Sequence, residues 1–428
     1  MNKILLFSHN GFSDENANGI TMKGLLSAWS NDKKAEFYCD IEPPDFSAAN
    51  NYFRVTDMQM LTAFIGKKAK HIFHDNTENT NTVSTQATVE QRDAHASRIP
   101  SWLKKRKYNF GLKWFREFLW EISPWGHKAL KQWIDSISPA VVVYMVGESI
   151  FMDRLVLRTI RRTSAKLVLY NGEAYRIIDL NKRKGIERAY YRKVERLYQI
   201  LNRNASLVIF NCEPLMAGYS AIYHPSSKQI VAYNSASCTC SAYRAHSPLV
   251  ISYFGNLGVG RADSLIQVAD VLYDIDRDLV INIYGNATNA NKEKFEQHAN
   301  IRYHGFVPPQ SLQNILEGSD ILIHVESFDK EIFSKLRYAF STKLAQYLCA
   351  GRPLLCYAPK DCASAEYLKQ ENGAVVATNV SELTNGLKKL IEDPEFRAGY
   401  AVRARQLGIK NHDQKATASL VKQEIESL

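Results

Sequence analysis

The sequence predicts an α/β protein built from two similar halves, and three observations support this. Short, continuous apolar runs alternate with longer segments of helical periodicity, which is typical of buried parallel strands joined by helices. Most of these runs end at Gly, Asn or Glu rather than at a hairpin turn. A stretch of small and polar residues at 235–248 separates two such series. Together these features predict two Rossmann-like domains facing across a cleft.

The length of 428 residues supports more than one domain, because a single core rarely grows so large. We assign 1–240 to an N-terminal domain and 241–248 to a linker. Residues 249–400 form a C-terminal domain, and 401–428 form a helical tail for which packing back on the N-terminal domain is one option. In chain order, strands are predicted at 4–7, 140–146, 167–170, 207–210, 228–232, 250–254, 279–284, 301–304, 321–325, 354–357 and 373–376.

The composition fits a soluble globular protein, with 45% hydrophobic and 23% charged residues. The seven cysteines have no regular metal-binding spacing, so we expect reduced thiols in a cytoplasmic protein. The first residues contain one Lys and a short apolar run, which predicts a first strand rather than a signal peptide. No apolar run approaches the roughly 20 residues needed to span a bilayer.

The net charge of +10 is concentrated in one part of the chain. Residues 1–250 carry 34 Lys and Arg against 22 Asp and Glu, whereas 251–428 carry 20 against 22. Within 101–203 the count is 22 basic against 9 acidic residues. An excess confined to one segment indicates an anionic partner for that segment.

Five of the six tryptophans lie between residues 99 and 137, a segment that also contains a run of four basic residues. An aromatic, amphipathic segment beside a basic cluster suits the headgroup layer of a membrane. The alternative is that this stripe forms core of the first domain, and nucleic acid is a third option without any accompanying motif. The predicted membrane contacts are Lys104, Lys105, Arg106, Lys107, Trp114 and Trp120.

Polar residues follow the first predicted strands, at the sheet edge where ligands bind in such folds. Glu148 and Glu173 come just after two strands, where a carboxylate can orient an acceptor hydroxyl or act as a base. More often, such residues cap helices or pair with Arg, and this alternative is stronger for Glu148. The loop after the first strand is not a dinucleotide-binding fingerprint, and Gly19 also fits a plain turn. Its acceptor-side candidates are His9, Asn10, Asn18 and Gly19.

A strand–loop–helix–strand unit occupies residues 321–359 and predicts a phosphate site. Ser341 and Thr342 begin a helix at the carboxyl end of the strand 321–325. The free backbone N–H groups and partial positive charge of a helix N-terminus suit a diphosphate. Lys343 adds a point charge at the same place.

The motifs of the second half resemble those of glycosyltransferase family 4, whose members have the GT-B fold. The segments that carry the resemblance are 253–261, 283–285, 305–307, 319–322 and 341–353. The resemblance is specific over about 249–378 and only architectural over 1–235. It implies that Arg261 binds phosphate and contributes to catalysis. Glu173 is the candidate catalytic carboxylate on the ground of its position after a strand. The donor-binding residues so indicated are Gly255, Asn256, Arg261, Gly285, Phe306, Val307, Glu326, Ser341, Thr342, Lys343 and Gln346.

Two positions depart from the family pattern. A Lys often follows the phosphate-binding Arg by five residues, and here that position is Ile266. The paired-glutamate motif is replaced by Tyr338 and Gln346. Gln accepts from one ribose hydroxyl but lacks the charge of a carboxylate. Glu326 is a candidate replacement.

The resemblance implies a retaining glycosyltransferase that uses a UDP- or GDP-sugar and no metal or other cofactor. The acceptor expected is a hydroxyl of a glycan or a lipid-linked glycan, in capsule, exopolysaccharide or lipopolysaccharide O-antigen biosynthesis. We expect a peripheral protein at the anionic cytoplasmic face of the inner membrane, without a nucleic-acid partner. The alternatives are a nucleotide-sugar epimerase of the same fold and a non-catalytic membrane-associated subunit.

Overall fold

A computed structural model confirms the α/β class and describes residues 3–75 and 109–428. The chain divides into two compact units, each with its own parallel sheet. Among the described residues, the first unit comprises 3–75, 109–210, 216–231 and 420–428, and the second comprises 211–215 and 232–419. None of the described helices combines the length and apolar character needed to cross a membrane.

The first unit contains an eight-stranded sheet. Its strands are β1 Ile4–Phe7, β2 Lys34–Tyr38, β3 Asn51–Arg54, β4 Ile72–His74, β5 Val141–Met145, β6 Lys166–Asn171, β7 Ala205–Phe210 and β8 Lys228–Val231. Their order is β4-β3-β2-β1-β5-β6-β7-β8, and only the β3–β4 pair is antiparallel. The helices are α1 Ala17–Leu25, α2 Asp57–Thr62, α3 Phe110–Ile122, α4 His127–Ile137, α5 Ile150–Thr163, α6 Gly185–Asn204 and α7 Glu213–Tyr223.

Strands β2, β3 and β4 were not predicted: Glu36 interrupts the apolar run of β2, and the apolar runs of β3 and β4 are only two residues long. Glu36, in β2, is fully buried and accepts hydrogen bonds from the Ser8 hydroxyl (2.8 Å) and the Phe12 amide (2.9 Å). Burial raises the pKa of Glu36 to about 8. A buried acid with hydrogen-bond partners is compatible with a central strand, although a Glu in the sequence normally indicates a surface position.

The second unit contains a six-stranded sheet that is parallel throughout. Its strands are β9 Ile251–Phe254, β10 Ile281–Tyr284, β11 Ile301–Gly305, β12 Ile321–Val325, β13 Leu354–Tyr357 and β14 Val375–Ala377. Their order is β11-β10-β9-β12-β13-β14. The helices are α8 Arg261–Ile275, α9 Asn289–Glu296, α10 Pro309–Glu317, α11 Lys330–Leu336, α12 Thr342–Ala350, α13 Ala363–Gln370, α14 Val380–Glu392 and α15 Pro394–Leu407. A last helix, α16 Gln414–Glu426, begins in the second unit and ends in the first.

Residues 241–248, predicted as a linker, lie within the second unit. The Arg352 guanidinium donates to the Ser241 carbonyl (3.2 Å), and Arg397 donates to the Tyr243 hydroxyl (3.0 Å). These contacts hold the segment against the second unit. Its small and polar residues therefore belong to an ordered surface segment.

Cys238 and Cys349 form a disulfide within the second unit, so the expectation that all seven cysteines are reduced is wrong for this pair. The other five cysteines are not disulfide-bonded. The sequence offered no signal for the pairing, because 111 residues separate the two partners.

A buried ion pair holds the helices of the first unit against its sheet. Asp153 and Arg176 are both fully buried and meet at 2.8 and 3.0 Å. The Tyr144 hydroxyl of β5 donates to Asp153 (2.8 Å), and Arg176 donates to the Val194 carbonyl of α6 (3.2 Å). The pair therefore joins β5, α5, α6 and the segment after β6.

We expect Arg176→Met to destabilise the protein by about 3–5 kcal/mol, because it leaves the Asp153 carboxylate buried without its partner. Urea unfolding measures this loss. The control is Arg162→Met, since Arg162 pairs with Asp135 at the surface, and its loss should cost less than about 1 kcal/mol. Equal losses in the two variants would contradict the assignment.

Candidate functional site

Glycines let the strand ends of the second sheet approach one another closely. The Gly255 amide donates to the Tyr284 carbonyl (2.9 Å), and the Gly285 amide donates to the Gly305 carbonyl (2.7 Å). Gly285 has φ 146°, and a Cβ there would lie 1.8 Å from the Gly255 carbonyl oxygen. Any side chain at this position would therefore force β9 and β10 apart.

A row of stacked rings crosses the sheet beside these glycines. Phe254 and Tyr284 stack at 4.8 Å between centroids, and Tyr284 and His304 stack at 4.6 Å. The Tyr347 hydroxyl bonds both to the amide (2.9 Å) and to the carbonyl (2.7 Å) of Phe254, which ties α12 to β9. Phe306 follows this row and is 62% exposed, so its ring is available to a ligand.

Arg261 begins α8 and faces Glu326, which follows β12. Its Nε and Nη2 atoms lie 3.0 Å from the two carboxylate oxygens, with side-chain exposures of 17% for Arg261 and 3% for Glu326. Burial opposes the charge on Arg261, but the Glu326 carboxylate outweighs it and raises the pKa of Arg261. Because Arg261 occupies both oxygens of Glu326, the geometry favours a positioning role for this carboxylate over direct ribose binding.

The turn before Arg261 explains its placement. Gly260 has φ 76°, and a Cβ there would lie 2.3 Å from the Ser327 hydroxyl. Glycine is thus required both for the left-handed backbone and for the contact with the segment after β12. Asn256, earlier in the same loop, is exposed, and its side chain accepts from the Gly258 amide (2.8 Å).

The N-terminus of α12 lies in the same region. Ser341 caps the helix, its hydroxyl accepting from the Lys343 amide (3.4 Å), and Thr342 is the first helical residue. Burial, followed by the nearby Arg261 charge, lowers the pKa of Lys343. Among the described residues, Arg261 forms an ion pair with Glu326, whereas Lys343 forms none and the Glu326 charge only partly offsets the lowering of its pKa. Gln346 lies one turn further along α12 and is half-buried.

His324 belongs to this site and was missed. Its Nε2 atom lies 3.6 Å from Glu326, has no hydrogen-bond partner among the described residues and is almost fully buried. Burial lowers the pKa of His324 to about 4, so the ring is neutral at physiological pH. A His inside an apolar strand, two residues from a Glu and so on the same face, was the available signal.

The acceptor-side candidates line a pocket of about 280 Å³ in the first unit. His9, Asn10 and Asn18 share it with Arg116 and Tyr175. The Asn18 amide donates to the Asn10 side chain (3.0 Å). Burial, and then the Arg116 charge, lower the pKa of His9 to about 4.

Gly19 lies beside this pocket and is more than a turn residue. A Cβ there would lie 2.5 Å from the Gly11 carbonyl oxygen and 2.6 Å from the Ser13 amide. The glycine thus lets α1 approach the loop after β1, which brings Asn18 next to Asn10.

The two candidate carboxylates differ in their positions. Glu148 lines the pocket and pairs with Lys113 (3.1 Å). Glu173 is exposed, and its backbone carbonyl accepts from the Tyr219 hydroxyl (2.8 Å). Burial, with Glu173 and Glu148 nearby, raises the pKa of Tyr175 to about 12, which places both acids near that ring. A catalytic role for Glu173 stays a prediction.

The predicted membrane contacts have different outcomes. Lys104, Lys105, Arg106 and Lys107 lie outside the described residues. Trp120 as a membrane contact is wrong: it is 1% exposed, donates to Asp57 (2.8 Å) and stacks on Phe151. Trp114 is half-buried, and its indole N–H donates to the Ile186 carbonyl (3.4 Å).

Comparisons with known proteins bear on the fold and on the second half of the chain. Residues 264–422 match a family model described as glycosyl transferase-like. HepE from Anabaena, solved with UDP, is 13% identical with a TM-score of 0.63, and both chains are fully covered. Sucrose-phosphate synthase from Thermosynechococcus elongatus is 10% identical with a TM-score of 0.63, covering 100% of this chain and 99% of that one.

A third structure, WaaG, is a glycosyltransferase involved in lipopolysaccharide biosynthesis. It is 12% identical with a TM-score of 0.54, covering 98% of this chain and 99% of its own. No curated protein matches the chain in sequence. The structural likeness confirms the GT-B fold predicted from the motifs.

Among the described residues, no group of three or more His, Cys, Asp and Glu side chains is placed to hold a metal ion.

We expect Gly285→Ala to destabilise the protein by about 3 kcal/mol or more, because the new methyl group meets the Gly255 carbonyl. Thermal unfolding measures the loss. Gly305→Ala is the control, since Gly305 also has a positive φ but nothing lies within 4 Å of its Cβ position. That change should cost only about 1–2 kcal/mol. A similar cost at both positions would show that the close approach of β9 and β10 is unimportant.

We expect His324→Leu to flatten the dependence of stability on acid pH. The side chain of His324 protonates near pH 6.5 in the unfolded protein and only near pH 4 in the folded protein. It therefore makes no contribution to the pH dependence of the free energy of unfolding above pH 6.5. Between those values it progressively lowers the stability of the wild type, by on the order of 3 kcal/mol in total. Urea unfolding at pH 7.5 and at pH 5 measures the difference. An unchanged difference in the variant would contradict the buried, neutral ring.

Proposed function

We propose that this glycosyltransferase of the GT-B fold moves a sugar from a nucleotide diphosphate sugar to a hydroxyl of a glycan or lipid-linked acceptor, with retention at the anomeric carbon. The observation that carries the proposal is the meeting of Arg261, Lys343 and the N-terminus of α12 at the carboxyl edge of the second sheet. A UDP-sugar is favoured over a GDP-sugar, because HepE was solved with UDP and with UDP-glucose.

The charges of this edge suit the reaction. As the bond between the anomeric carbon and the diphosphate breaks, negative charge develops on the leaving oxygen. Lys343, which forms no ion pair among the described residues, and the backbone N–H group of Thr342 can stabilise that charge. Glu326 holds Arg261 in one orientation through two N–H donors, and the guanidinium keeps three further N–H groups that can donate to phosphate oxygens. These groups take the place of a metal ion in the proposed mechanism.

The base and ribose would lie along the glycine-lined strand ends. Gly255 and Gly285 leave room for close approach, and the exposed ring of Phe306, with Val307 beside it, offers a surface for the base. Asn256 and Gln346 supply amide groups for hydroxyls of the ribose or sugar.

We place the acceptor in the pocket of the first unit, where His9, Asn10 and Asn18 present neutral hydrogen-bonding groups at physiological pH. Such groups suit sugar hydroxyls. The proposed setting is capsule, exopolysaccharide or lipopolysaccharide O-antigen biosynthesis at the cytoplasmic face of the inner membrane. The involvement of WaaG in lipopolysaccharide biosynthesis and the basic character of 101–203 support this setting.

We expect Lys343→Met to weaken UDP binding at least about tenfold, because the ammonium group lies among the proposed phosphate ligands. Thermal stabilisation by a panel of nucleotides measures binding, with about 2.7 kcal/mol expected at a concentration 100 times the Kd. Lys388→Met is the control, since Lys388 lies on the exposed side of α14 in the same unit. The proposal fails if no nucleotide stabilises the wild type, or if both variants bind equally well.

A further inference from the structure

Helix α3 is oriented with its apolar side toward solvent. Phe115 is 56% exposed, Phe118 54% and Ile122 51%, whereas Glu117 is 4% exposed and Trp120 is 1% exposed. The apolar residues lie on one side because they recur at three- and four-residue spacing. An amphipathic helix at a protein surface normally has the opposite orientation.

Specific polar contacts fix this orientation. The Glu117 carboxylate accepts from the Phe151 amide (2.7 Å). Arg116 and the Trp120 indole both donate to Asp57, the first residue of α2, at 3.0 and 2.8 Å. A helix held on its polar side by three buried or half-buried bonds cannot simply rotate to bury its phenylalanines.

A second exposed apolar row lies on the helix that these contacts reach. Met58 and Leu61 of α2 are 41% and 42% exposed, and Phe64 and Ile65 in the following short turn are 45% and 71% exposed. The Ser123 hydroxyl, just after α3, donates to the Met60 carbonyl of α2 (2.6 Å), so the two helices lie side by side. We call this the α2–α3 face; its exposed apolar residues are Met58, Leu61, Phe64, Ile65, Leu112, Phe115, Phe118 and Ile122.

The charges around the α2–α3 face are positive. Each acid on the two helices is already engaged: Asp57 by Arg116, Glu117 by the Phe151 amide, and Glu121 by two arginines of α5. Lys67, Lys68 and Lys70 follow α2 closely, are exposed and form no ion pair among the described residues. Apolar side chains next to unpaired lysines match a bilayer, which offers hydrocarbon below a layer of anionic headgroups.

We propose that the α2–α3 face is a membrane-docking surface, which inserts Phe115, Phe118 and their neighbours among the acyl chains while Lys67, Lys68 and Lys70 contact anionic headgroups. Exposed aromatic and aliphatic side chains on two helices are more than the isolated apolar residues of an ordinary surface. This inference adds a contact surface to the proposed membrane location. It rests on the proposed function, because a lipid-linked acceptor is the reason for the enzyme to bind a membrane.

The test is flotation of the purified full chain with vesicles of phosphatidylcholine, alone or with about 30% phosphatidylglycerol. The wild type should float with the anionic vesicles and be released by salt. Phe115→Ser/Phe118→Ser should lower the affinity at least about tenfold, since two large apolar side chains no longer insert. Lys67→Glu/Lys68→Glu/Lys70→Glu should abolish the preference for anionic over neutral vesicles.

Val380→Ser/Val402→Ser is the matched control, because these side chains are 52% and 55% exposed but lie on α14 and α15 of the second unit. It should float as the wild type does. Thermal stabilisation by UDP, measured on the same samples, separates this inference from the donor-site proposal. Phe115→Ser/Phe118→Ser should retain that stabilisation, and Lys343→Met should retain flotation.

Three results would overturn the proposal. The first is a wild type that does not bind anionic vesicles. The second is a phenylalanine variant that floats as well as the wild type. The third is a wild-type dimer that Phe115→Ser/Phe118→Ser converts to a monomer in analytical ultracentrifugation, which would assign the α2–α3 face to a second copy of the chain.

Discussion

The ion pair between Arg261 and Glu326 is the contact on which the architecture of the second-unit edge depends. It joins the start of α8 to the residue after β12, and the Ser264 hydroxyl adds a bond to the Glu326 carbonyl (2.8 Å). A carboxylate that is 3% exposed is tolerable only with such a partner, because desolvation of an unpaired charge is expensive. The pair adds little net stability for the same reason, but it holds a guanidinium in one orientation. The left-handed Gly260 and its contact with Ser327 place Arg261 where this pair can form.

The same principle, that a buried charge needs its partner, explains the first unit. Helix α3 buries Glu117 and Trp120 because the Phe151 amide and Asp57 are available there to receive them. Once those bonds form, the phenylalanines on the other side have no interior to enter. The apolar face of α3 is therefore a consequence of the polar pairing on the opposite side of the helix.

The sequence was sufficient for strands whose apolar runs are continuous, and insufficient where polar residues are buried with distant partners. Strand β12 was predicted with its observed limits, whereas β2 was missed because Glu36 finds Ser8 and Phe12 only in the folded protein. At the site, the order of motifs indicated Arg261. Its partner is 65 positions away, and no local pattern encodes that pairing. Periodicity located the apolar stripe of α3 correctly, but periodicity does not say which side of a helix faces inward.

The charge arrangement at the proposed donor site also limits how tightly it holds its product. A cation attracts the diphosphate of the donor and that of the released nucleotide alike. Such binding lowers the free energy of the substrate and product complexes without accelerating the chemical step. Glu326 reduces this indiscriminate attraction by partly neutralising Arg261 while keeping its N–H donors in position. Lys343 forms no ion pair among the described residues and is desolvated, so in the proposed mechanism it is the cation that would respond to the charge growing on the leaving oxygen. One partly neutralised cation and one outside any ion pair would thus favour the transition state over the bound product, which would account for a buried acid beside a proposed phosphate site.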